Sequence, residues 1–82
     1  DNFQVHFDQK NNNFFQKLKE KDSKLSESYL LFCSYVKMGK SNKEIAELLT
    51  ISVAAVEKRK YRLKKKWELA DDTSFTDYLK SL

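Results

Sequence analysis

The sequence predicts an all-α fold, on three observations. Its 82 residues include one glycine and no proline, so the many turns of a β-sandwich or barrel have no residues to build them. Its apolar residues recur at helical spacing, with Tyr29, Phe32, Cys33 and Val36 at i, i+3, i+4 and i+7. A helical pattern ending near Leu49 is followed by another starting near Val53, with only Thr50, Ile51 and Ser52 between them. Two helices joined so closely must cross steeply, the arrangement of a helix-turn-helix. The length sets one domain, burying roughly 60% of its unfolded surface and so only modestly stable alone.

At the N-terminus, Phe3, Val5 and Phe7 alternate as in a strand, while Phe3 and Phe7 also share a helix face. With no partner strand in sight, a helix or irregular arm is expected over residues 1–10. Asn11-Asn12-Asn13 is a break that supplies an N-cap for a helix over 14–21, with Phe14, Phe15 and Leu18 inward. Ser26 caps a helix over 27–38, which Gly39 ends in the left-handed conformation. Ser41 and Glu44 form a capping box for the next helix. There Ile45, Leu48 and Leu49 point inward, and Ala46 is small where another helix approaches. Ile51 fills the space under the turn. Ser52 caps a long helix over 53–67, with an inner stripe of Val56, Leu63 and Trp67 and the aliphatic stem of Arg59 or Lys60 beside it. After Asp71-Asp72, Thr73 or Ser74 caps a final helix over 74–82, with Phe75, Tyr78, Leu79 and Leu82 on its apolar side.

Charge is unevenly placed along this framework. The net charge is +4, yet residues 57–66 alone hold seven basic side chains against one acid, Glu57. The rest of the chain is slightly acidic. A charge gathered on one helix points to nucleic acid more strongly than the same charge spread evenly. Glu57, Lys58, Tyr61, Arg62 and Lys65 fall on one outward stripe, opposite Val56, Leu63 and Trp67. Apolar on one side and basic on the other, the helix suits a protein core and a row of phosphates. A carboxylate on such a face is unfavourable unless Glu57 accepts from a cytosine amino group, pairs with a cation such as Lys60, or stays off the DNA.

Leu25-Ser26, Gly39, Ser41-Asn42-Lys43-Glu44-Ile45-Ala46, Ile51-Ser52, Val56 and Trp67-Glu68-Leu69 resemble the C-terminal DNA-binding domain of LuxR-type (GerE-like) bacterial transcription regulators. The spacing matches without a gap over residues 25–69, and the acidic break with its final helix fits the fourth helix of that fold. The resemblance divides the chain into an N-terminal helical extension, 1–24, and a four-helix helix-turn-helix domain, 25–82. It implies a transcription-regulatory output domain that binds double-stranded DNA at inverted-repeat operators, as a weak homodimer formed on DNA. Base contacts carry onto Glu57, Lys58 and Tyr61, phosphate contacts onto Lys43, Arg62 and Lys65, and the dimer contact onto Tyr78 and Leu82 of the final helix. The chain also departs from the family pattern. Tyr29 stands where a glutamate is usual, removing a buried salt link, and Thr50 replaces a small turn residue. Ala55 stands for a common threonine and Arg59 for a frequent histidine.

Other functions find less support. A promoter-reading sigma-factor region uses a similar helix pair, but the acidic linker and apolar last helix favour the regulator. A protein-interaction module would dock through Phe3, Phe7, Phe14 and Phe15. No His/Asp/Ser or Cys/His set, Gly-rich phosphate loop or metal-ligand cluster supports an enzyme, and no cofactor or small-molecule site is expected. Cys33 reads as a buried small hydrophobe, and His6 has no catalytic partner at a useful spacing. No apolar run approaches a membrane span, so a cytoplasmic protein is expected. The start at Asp1 suggests a fragment of a longer chain.

Overall fold

A computed structural model describes residues 13–82; the expectations for residues 1–12, including Phe3, His6 and Phe7, lie outside them. The described residues form helices only: α1 Phe14–Lys21, α2 Glu27–Lys37, α3 Asn42–Leu49, α4 Val53–Lys66 and α5 Phe75–Lys80. Helix starts follow from side-chain caps. Ser26, Ser41, Ser52 and Ser74 each sit in extended backbone and accept from an amide in the first turn, at Tyr29, Glu44, Ala55 and Asp77. The Ser41–Glu44 capping box is complete, the serine amide donating to Glu44 Oε1 at 2.9 Å. Asn13 holds the N-cap position of α1 without a capping bond. Its φ of 61° is left-handed, whereas a capping side chain needs extended backbone to face the first-turn amides.

Helix ends share a second device. After α2, α3 and α4 one residue turns left-handed, and the next amide reaches back to the last full turn: Lys40 to Tyr35 O, Ile51 to Ala46 O and Leu69 to Lys64 O, at 2.9–3.1 Å. This is the Schellman closure, normally built on glycine. Here only the first uses one, Gly39 at φ 85°; Thr50 (φ 56°) and Glu68 (φ 55°) complete the others. A β-branched residue pays about 1–2 kcal/mol for left-handed backbone. Thr50→Gly should therefore raise stability, by about 0.5–1 kcal/mol after the larger chain entropy of glycine is subtracted. A thermal midpoint a few degrees higher is expected; a lower one would mean that the threonine side chain stabilises the turn.

The core has α2 at its centre, in contact with α1, α3 and α5, while α3 and α4 pack on each other. Phe14, Phe15 and Leu18 are buried in this same core, so the described part of the N-terminal extension is joined to the helices that follow it. The docking role considered for Phe14 and Phe15 is thereby overturned: at 0% and 2% exposure they have no surface to offer a partner. Leu48 also departs from expectation, standing 52% exposed while Ile45 is fully buried and Leu49 half-buried. Among the described residues the short α3 packs chiefly on α4 and α2, and Leu48 is left to solvent.

An aromatic row runs through the core. Tyr29 meets Phe32 at 6.3 Å, Phe32 stacks on Phe75 at 6.2 Å, Phe75 on Trp67 at 5.9 Å, and Trp67 meets Tyr78 at 6.1 Å. A cation closes each end. The Arg59 guanidinium lies 4.6 Å from the Tyr29 ring, and Lys21 Nζ lies 5.2 Å from Tyr78 and 5.6 Å from Trp67. Lys37 fastens α5 by donating to the carbonyls of Leu79 and Lys80 at 3.2 and 3.3 Å.

Candidate nucleic-acid interface

Helix α4 has two faces. Val56 and Leu63 are buried and Trp67, just past its end, is half-buried, whereas Glu57, Lys58, Tyr61, Arg62 and Lys65 are all exposed. The structure thus brings together five of the six residues expected to contact DNA, on one outward surface. Tyr61 is 62% exposed, and Lys65 Nζ sits 5.5 Å from its ring, a contact that steadies both side chains one turn apart. The sixth, Lys43, is exposed near the start of α3. It lines an open groove of about 650 Å³ with Thr50, Ser52 and Val53, which places it beside the N-terminus of α4.

Three of the remaining cations of α4 bond to other segments of the fold, and the fourth, Lys60, is partly buried. Arg59 Nη1 donates to Ser28 Oγ at 3.0 Å, and its guanidinium covers Tyr29 and Phe32. Tyr29 and Arg59 therefore face each other as a cation–π pair. Lys60 is half-buried, and burial holds its ammonium below the usual lysine value although the nearby Glu57 carboxylate opposes the shift. Lys64 donates to the Asp71 carbonyl at 3.1 Å, and Lys66 pairs with Asp22 at 2.7 Å. Of the seven basic residues on this helix, Lys58, Arg62 and Lys65 are the ones that lie on the outward stripe.

Asp22 is the residue that sequence reasoning missed. Its side chain is 7% exposed and ties the loop after α1 to the end of α4. Oδ2 accepts from Lys66 and from the Trp67 indole N–H at 3.2 Å, and Oδ1 accepts from the Lys24 amide at 3.2 Å. The Lys66 hydrogen bond holds its carboxyl below the usual aspartate value; burial opposes this, and the Trp67 and Lys24 bonds add to it. The C-terminal end of α4 is thereby fixed to the loop after α1.

Tyr78 and Leu82, expected at a dimer contact, are both half-buried against the core, Tyr78 on Trp67. Cys33 is fully buried, and burial pushes its thiol up to about 12, so it stays protonated and unreactive at neutral pH. Among the described residues no group of three or more His, Cys, Asp or Glu side chains is placed to hold a metal, and no helix is long and apolar enough to cross a membrane. Comparison with models of known families, with curated proteins and with solved structures finds no match.

Proposed function

We propose that the chain is a sequence-specific DNA-binding module, the cytoplasmic output domain of a LuxR-type bacterial transcription regulator, with α4 in the major groove. The observation that carries this reading is the division of labour on α4. Three of its cations, Arg59, Lys64 and Lys66, bond to other segments of the fold, while Lys58, Arg62 and Lys65 share an exposed stripe with Tyr61 and Glu57. In the helix-turn-helix docking mode, residues near the start of the second helix reach base edges and its flanks reach phosphates. Glu57, Lys58 and Tyr61 are the base readers; Arg62 and Lys65, with Lys43 across the groove, anchor phosphates. Two copies pair weakly on an inverted repeat through the exposed edges of Tyr78 and Leu82. The six-residue α5 offers far less than the ~1,000 Å² of a stable interface, so pairing requires DNA or a further domain.

A salt series of fluorescence anisotropy on a duplex selected from a random pool tests the reading. With about four phosphates neutralised per domain, log K should fall against log salt with a slope of about −3 to −4. Lys65→Ala should weaken all duplexes alike and flatten that slope by about one unit, whereas Glu57→Ala should change which sequences are preferred. A wild-type slope near zero would remove the phosphate-contact model. Uniform losses from both variants would instead move the reading stripe elsewhere.

A further inference from the structure

Beside Arg62 the outward stripe of α4 opens into a cleft of about 290 Å³ between α4 and the start of α2. Its polar lining comes from two parts of the chain, Lys24 and Ser26 from one and Arg62 and Lys66 from the other, with Leu25, Tyr29 and Leu63 completing it. Lys66 is already balanced by Asp22, so the unbalanced charge in the cleft is that of Lys24 and Arg62, both exposed. The loop that carries Lys24 is held in place, because its amide donates to Oδ1 of the buried Asp22 at 3.2 Å. Ser26 Oγ accepts from the Tyr29 amide at 3.2 Å, which leaves its O–H to donate outward. A fixed cleft with two uncompensated cations and a spare hydroxyl donor matches one phosphodiester.

We infer that this cleft binds a backbone phosphate of the DNA, with Lys24 and Ser26 extending the interface from α4 onto the start of α2. The inference rests on the proposed DNA-binding function. Duplex DNA is the occupant because the cleft is continuous with the α4 stripe: Arg62 belongs to both, so a phosphate held there follows the strand whose bases face Glu57 and Lys58. Asp22 is taken up by Lys66, and Glu27, exposed in the first turn of α2 next to Ser26, is the acid that opposes the contact.

The test is the same anisotropy salt series on the full chain, comparing Lys24→Ala with Lys19→Ala, an exposed lysine on α1. Lys24→Ala should flatten the salt slope by about one unit and weaken binding about tenfold near 0.1 M salt, without changing sequence preference. Lys19→Ala should behave as wild type, and Glu27→Gln should bind more tightly. The amide resonances of Leu25 and Ser26 should shift when duplex is added. If Lys65→Ala flattens the slope and Lys24→Ala does not, the cleft is not a phosphate site and the α4 interface stands. If the wild-type chain shows no salt-dependent retention of DNA, the functional reading fails and this inference with it.

Discussion

Asp22→Ala should lower the stability of the domain by about 2–3 kcal/mol at neutral pH, since hydrogen bonds to a charged group contribute about 1.5–3 kcal/mol. The carboxylate is the acceptor for the Trp67 indole N–H and the Lys24 amide, and the partly exposed Lys66 loses less when it goes. For a chain of this size the thermal midpoint should drop by about 10–20 °C. The pH dependence has a definite sign. Asp22 has a folded pKa below its ordinary 3.8, so its contribution is complete above that value and is lost as pH falls through the folded pKa. Wild type and variant should therefore differ most at neutral pH and converge in strong acid. A constant difference from pH 7 down to pH 2 would show that packing, not the ionised carboxylate, is what the variant loses.

The same residue separates stability from binding. Asp22→Asn keeps the side-chain volume and an acceptor but releases the charge of Lys66, which borders the cleft beside Arg62. Measured well below its midpoint, this variant should be less stable yet hold DNA more tightly, with a salt slope steeper by up to about one unit. Stability and affinity falling together would place Asp22 as a positioning residue for α4 alone.

How much of this was legible beforehand depends on the range of each interaction. Ser26, Ser41, Ser52 and Gly39 act on amides and carbonyls within a few residues of themselves, so local spacing was enough to place both ends of α2 and the starts of α3 and α4. The outward stripe of α4 was legible for the same reason, because one helix's periodicity separates Lys58 and Arg62 from Val56 and Leu63. Leu48 was not, since periodicity places it and Leu49 equally near Ile45, and only the position of a neighbouring helix decides between them. Asp22 carried no local signal at all: Trp67 lies 45 residues away, and a lone aspartate in a polar loop looks like solvent-facing charge. The local charge of residues 57–66 overstated the interface for a related reason. The acceptors for Arg59, Lys64 and Lys66 are Ser28, the Asp71 carbonyl and Asp22, each on another segment.

Phe32→Ala should have the largest effect on folding, about 3–5 kcal/mol. The ring is fully buried in the aromatic row, between Tyr29 and Phe75, with the Arg59 guanidinium 5.8 Å away. Its removal opens a cavity at the centre of α2, the helix that α1, α3 and α5 all contact, so no single neighbour can move in to fill it. Domains of this length have total stabilities of roughly 4–12 kcal/mol, so a substantial unfolded fraction at 37 °C is expected. DNA affinity should fall in proportion, although Phe32 touches none of the outward residues of α4. Phe32→Leu retains most of the volume and should cost only about 1–1.5 kcal/mol, with binding near wild type at 20 °C. Urea unfolding followed by circular dichroism measures both. Equal losses for alanine and leucine would mean that ring stacking along the row, and not filled volume, holds α2 against α5.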